Sequence, residues 1–110
     1  MIGKNSNNAT PGDAPEGIIR RTLAFNPDAM LCHFEMKQGA QIPQHHHEAV
    51  QVGYVVSGRL LFKSGRNPDG FEAKAGDSYV FDSNEPHGAD VLEDTVAVEV
   101  FTPSRPEYED

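Results

Sequence analysis

The chain reads as an all-β barrel, and three observations carry that reading. Its 110 residues suffice for one domain with a core of its own. From Gly17 onward, short segments of β-branched, aromatic and alternating apolar residues recur between Gly, Pro, Asn and Asp. No amphipathic helix of ten or more residues interrupts them. Many short strands punctuated by turn residues argue for a sandwich or a barrel.

Residues 1–17 are rich in Asn, Pro, Gly and small polar residues, which predicts a flexible N-terminal arm ahead of a single domain over 18–110. Ile18–Phe25 is the first expected strand. Met30–Lys37 alternates, with Met30, Cys32, Phe34 and Met36 on one face and Leu31, His33, Glu35 and Lys37 on the other. Gln41–His47 is extended, with Pro43 near its start. Val50–Ser57 is β-branched and aromatic, Gly58 breaks it, and Arg59–Lys63 resumes. Asn67-Pro68-Asp69-Gly70 is a turn signal. Phe71–Lys74, Ser78–Phe81, Pro86–Leu92 and Thr95–Thr102 complete the set.

Two of these strands are apolar on both faces. Gln51, Gly53 and Val55 share one face of Val50–Ser57, and Val50, Val52, Tyr54 and Val56 share the other. Ala97, Glu99 and Phe101 alternate with Val96, Val98 and Val100. The outer sets are either covered by another sheet of the same chain or form a homodimer interface.

Composition removes several classes of function. Acidic residues number 17 against 9 basic, a formal charge of -8, with no basic cluster to meet nucleic acid or an anionic membrane. Cys32 is the only cysteine, so an intrachain disulfide is excluded. The segment MIGKNSNNATPGDAPEG has no apolar run of the secretory kind, and no stretch approaches a membrane span. The expectation is a soluble cytoplasmic protein.

The histidines carry the chemistry. His45 and His47 alternate on extended chain and so point to one side, while His87 arrives from a distant strand. A purification tag would sit at a terminus, and this run is internal. His46 then faces away as a surface residue, and His33 shares a face with Glu35 and Lys37, where it is expected to be solvated. Gln51 and Glu48 compete as a fourth ligand. Glu48 is the commoner ligand chemistry but falls in an expected turn.

Two blocks of residues frame these positions. Gly39, His45-His46-His47, Gln51 and Gly58 resemble the first motif of the cupins. Gly76-Asp77 followed by Asn84-Glu85-Pro86-His87 resembles the second. Two departures stand out: Gln51 replaces the usual Glu, and Asp82 and Asn84 replace the usual Pro and Gly. The resemblance implies a double-stranded β-helix, a small jelly-roll barrel. It also implies one divalent transition metal ion (Ni, Zn, Mn or Fe) held by His45, His47, Gln51 and His87. Three imidazoles and an amide leave the charge of such an ion uncompensated, which favours an anionic substrate.

A narrower resemblance runs from Ile18 to Tyr108. Tyr54-Val55-Val56-Ser57-Gly58, Ala75-Gly76-Asp77-Ser78, Pro86-His87-Gly88-Ala89 and Glu99-Val100-Phe101-Thr102-Pro103-Ser104-Arg105 look like the KdgF-type cupins of pectin and alginate breakdown. Those proteins convert 4,5-unsaturated uronates into linear keto sugars, which implies a small anionic sugar as partner here. By resemblance, Glu99, Phe101 and Arg105 are the catalytic residues, with Glu99 standing where the family has Asp. The residue types suit the task. Hemiacetal opening and enol tautomerisation need an acid or base at the moving proton and an electrophile for the developing negative charge. Glu99 could carry the proton, Phe101 raise its proton affinity and Arg105 hold the substrate carboxylate. A metal-dependent dioxygenase and a non-catalytic sensing cupin are the competing readings, since one fold hosts many functions.

Overall fold

With no helix beyond a short 3-10 turn to cover a sheet, the apolar parity of these strands is buried by two sheets that face each other. The computed structural model describes residues 1–110. Nine strands follow in order: β1 (Ile18–Asn26), β2 (Ala29–Met36), β3 (Gln41–His45), β4 (Val50–Ser57), β5 (Arg59–Ser64), β6 (Phe71–Lys74), β7 (Ser78–Phe81), β8 (His87–Val91) and β9 (Thr95–Thr102). A 3-10 turn, Pro106–Tyr108, closes the chain. One sheet has the order β1-β2-β9-β4-β7 and the other β3-β8-β5-β6, and every pairing is antiparallel. The architecture is the double-stranded β-helix, a jelly-roll barrel. No helix is long and apolar enough to cross a membrane.

The core lies between the sheets. Met30, Cys32, Phe34 and Met36 from β2 meet Val55, Ala97 and Phe101 on one wall and Leu60, Phe62, Ala89 and Val91 on the other. The inward parity of β2, β4 and β9 is the one the sequence shows. Backbone strain is confined to turns. Gly58, between β4 and β5, has φ 92°, and a side chain there would run into Asp94 and Thr95. Asn84 has φ 60° at the position where the second cupin motif usually carries Gly. Asn tolerates that left-handed region better than most residues, so the departure costs little.

One alternative left open by the sequence is removed, and two of its expectations are corrected. No second sheet covers the outer face of β4, β7 and β9: Val52, Tyr54, Val56, Val80 and Val100 remain 37–52% exposed. His33 is half-buried rather than solvated, and its Nδ1 is enclosed without a hydrogen-bond partner. The extended run ends at His45, and His47 follows in a loop.

The two ends of the chain meet on β1. Gly12 donates its N–H to the Arg20 carbonyl, and Ala14 and Pro15 lie at the rim of the barrel cavity. Arg20 is 1% exposed, an interior guanidinium that sequence reading placed on an ordinary strand. It donates to both carboxylate oxygens of Asp110 at 3.0 Å and to Thr22 Oγ1 at 2.6 Å. Its plane lies 4.0 Å from the centroid of Tyr108, and Thr22 Oγ1 donates to the Tyr108 carbonyl at 2.6 Å. Burial weakens the guanidinium's hold on its proton, but the Asp110 hydrogen bond and charge outweigh that, and its pKa rises. This latch draws the tail across the open end of the barrel.

Candidate functional site

The site sits between the sheets at that end. His45 ends β3, His87 opens β8 directly opposite it, and Gln51 follows on β4. His47 comes from the intervening loop. The ligating nitrogens of His45, His47 and His87 all lie within 4.8 Å of one another. Glu48 and His46 are exposed and stand outside this group.

Hydrogen bonds orient each imidazole. Nδ1 of His45 is 2.9 Å from the Pro43 carbonyl, Nδ1 of His47 is 2.7 Å from that of Ala49, and Nδ1 of His87 is 2.7 Å from that of Glu85. A carbonyl can only accept, so each Nδ1 carries the proton and each Nε2 presents a lone pair in the neutral ring. Phe81 stacks on His87 at 4.2 Å with the rings 6° apart, and Phe101 meets His47 edge-on at 5.6 Å. Burial lowers the pKa of His47 and takes that of His87 down to about 4, which keeps both rings neutral.

Gln51 is oriented by its other end. Its Nε2 donates to Glu99 Oε2 at 2.6 Å, and Tyr79 donates its hydroxyl to the same oxygen at 2.5 Å. An ionised carboxylate only accepts, so the Gln51 amide nitrogen must face Glu99 and Oε1 must face the histidines. Oε1 lies 3.0 Å from His47 Nε2 and 3.1 Å from His87 Nε2. Lone pairs therefore meet lone pairs with no proton between them. A cation resolves that conflict, so the donor set fits a divalent transition metal: three imidazole nitrogens and one amide oxygen.

Glu99 is 5% exposed. Burial raises its pKa, opposed by the hydrogen bonds from Tyr79 and Gln51 and by the charge of Arg105. Both of its hydrogen bonds fall on Oε2, leaving Oε1 for the cavity that Glu99 lines. That cavity has a volume of about 250 Å³, and its polar lining comes chiefly from His45, Gln51, His87, Glu99 and Arg105. Phe101 forms part of its apolar wall and is 1% exposed. Arg105 reaches in from the tail. Its guanidinium lies 5.1 Å from the Phe101 centroid and 4.0 Å from that of Tyr108, and its Nε donates to Glu107 at 2.6 Å. The two terminal nitrogens remain for a ligand.

All seven residues singled out from the sequence thus border one cavity or its histidine cluster. Tyr79, Phe81 and Tyr108 were not anticipated. Tyr79 and Phe81 alternate inward on β7, the one signal that could have marked them. Tyr108 follows two prolines in the tail and offers no periodicity at all.

The cupin domain profile matches residues 32–102, more than half of the chain. The chain is a cupin. Among relatives of this cupin is the pectin degradation protein KdgF of Dickeya dadantii (strain 3937), 30% identical over 95 residues and covering 84% of each chain. The solved structure of KdgF from Halomonas sp. superposes with a TM-score of 0.85 at 29% identity, covering 97% of this chain and 96% of that one. An RmlC-like cupin from Shewanella frigidimarina NCIMB 400 superposes with a TM-score of 0.87 at 25% identity, covering 96% and 94%. The expected family and fold are both met.

Proposed function

We propose that this cupin opens and ketonises 4,5-unsaturated uronates from pectin or alginate breakdown, using one divalent metal ion held by His45, His47, Gln51 and His87. The observation that carries the reading is the single cavity that joins this donor set to one buried carboxylate and one guanidinium. The relative named for pectin degradation supports the substrate class. A volume of about 250 Å³ falls below the roughly 300–1,000 Å³ usual for drug-sized ligands and suits one sugar ring.

The chemistry is an isomerisation without redox change. The proton of the anomeric hydroxyl leaves, the C1=O bond forms, and the bond from C1 to the ring oxygen breaks. The ring oxygen becomes the enol oxygen at C5. A proton then reaches C4, and the enol becomes a ketone. Glu99 Oε1 takes the first proton and returns one at C4, a role that its burial and raised pKa favour. The terminal nitrogens of Arg105 grip the carboxylate next to C5. Phe101 excludes water from the carboxyl of Glu99. A bound ion would supply Lewis-acid stabilisation of the developing oxyanion.

The test is to add a lyase digest of pectin or alginate and follow the ultraviolet absorbance of the C4=C5 bond. The reading predicts accelerated loss with at least one of Ni, Zn, Mn or Fe loaded. Rates equal to the protein-free control with every metal would overturn it, and oxygen consumption in step with turnover would replace it with dioxygenase chemistry.

We also propose a homodimer through the outer face of the five-stranded sheet. Val52, Tyr54, Val56, Val80 and Val100 form an uncharged apolar patch on a chain of net charge -8. A second copy presents the same patch, as a two-fold interface requires.

A further inference from the structure

Tyr79 and Gly53 play no part in the chemistry proposed above, yet both are built into the metal site. On the inner face of the five-stranded sheet, Tyr79 pairs with Gly53 across β7 and β4, and Gly53 pairs with Glu99 across β4 and β9. The three residues form one cross-strand row. A side chain on the middle residue would keep its neighbours apart. Gly53 has none, and a Cβ built there would overlap the ring and hydroxyl of Tyr79. The tyrosine therefore lies across the glycine and reaches Glu99, donating to Oε2 at 2.5 Å. Gln51, two residues from Gly53 on the same face, donates to that oxygen at 2.6 Å.

We infer that Tyr79, working over Gly53 and through Glu99, is a positioning residue that aims the Gln51 amide oxygen at the metal. The inference rests on the metal reading of the histidine cluster. A free Gln51 amide could turn either end toward His47 and His87. Glu99 removes that choice because it accepts only from the nitrogen end. Tyr79 in turn holds Glu99 Oε2 within reach of Gln51. Glu99 also draws on the Gln51 N–H, which increases negative charge on the amide oxygen and makes it a better ligand. The charge that the fourth ligand lacks stands one hydrogen bond behind it.

The test measures Zn²⁺ affinity by competition with a chelating dye, with no substrate present. Tyr79→Phe and Gln51→Ala are made singly and together. Tyr79→Phe keeps the ring that packs 4.4 Å from Phe62 and removes only the hydroxyl. It is expected to weaken Zn²⁺ binding about tenfold, within the 10–100-fold typical of groups that orient a ligand. In the Gln51→Ala background the same change should have no effect, because the ligand it aims is gone. An equal loss in both backgrounds would overturn the relay in favour of a general structural role. So would an unchanged affinity on the Gln51 background. Failure of the unsubstituted protein to bind Zn²⁺, Ni²⁺, Mn²⁺ or Fe²⁺ would overturn the metal centre itself, and the relay with it.

Discussion

Gln51 is the residue on which the site turns. As an amide it would bring no charge to a bound ion, and its Nε2 donates to the carboxylate of Glu99 behind it. Gln51→Glu would set two carboxylates in the 2.6 Å contact that Gln51 now makes with Glu99. A glutamate that stays ionised there repels Glu99, and the extra charge beside the cavity opposes an anionic sugar. The expected outcome is a KM for unsaturated uronate raised on the order of tenfold or more, read from saturation kinetics of the metal-loaded variant. An unchanged KM would remove charge as the reason for a glutamine here. The shared parity of Glu99 and Phe101 was legible because alternation is local, whereas His47 joins His45 from the loop after β3, so strand alternation does not account for that pair. Tyr79 was not legible, because its hydroxyl matters only through a glycine on the next strand and a carboxylate on the one beyond.

Strands such as β2, β4, β7 and β9 were legible because their burial alternates and turn residues lie near their ends; β3 and β8 do not alternate. The C-terminal segment was not legible, since it holds its place by long-range contacts with no period. Ile18, Arg20 and Thr22 share the inward parity of β1, and two polar residues on an otherwise buried stripe mark a hidden partner. That partner is the tail. Asp110 has its pKa lowered by the hydrogen bond from Arg20. A carboxylate with a depressed folded pKa stabilises the fold fully above its unfolded value, about 3.9, and loses that contribution as pH falls through the folded one. Asp110→Asn should therefore loosen the tail at neutral pH, with faster amide hydrogen exchange at Tyr108 and Glu109. The difference in exchange between variant and native protein should shrink as the pH is taken below about 3.9. An equal difference at all pH values would show that the ion pair is not what holds the tail. Because Tyr108 lies 4.0 Å from both Arg20 and Arg105, the same loosening should raise KM more than it lowers kcat.

At the scale of the whole molecule, the barrel encloses the candidate site and leaves one apolar sheet face exposed. The sequence left two accounts of the outer valines open, and the absence of a covering sheet removes one of them. Val52 and Val80 are adjacent across β4 and β7 and are 47% and 52% exposed. Val52→Lys with Val80→Lys should convert a dimer to a monomer by light scattering at micromolar protein. Its effect on the monomer's own stability should be small, within about 0.5 kcal/mol per site for surface changes. A native chain that is already monomeric under those conditions would refute the interface.

The central claim is that this cavity moves protons on an anionic enol sugar at a metal ion, with no oxidant. Proton NMR of the metal-loaded protein with an unsaturated uronate in D₂O, under nitrogen, tests it most directly. The account predicts loss of the C4 vinyl signal faster than in a protein-free control, and an open-chain keto product carrying deuterium at C4. Persistence of the vinyl signal at the control rate, or a product that forms only when air is admitted, would contradict it.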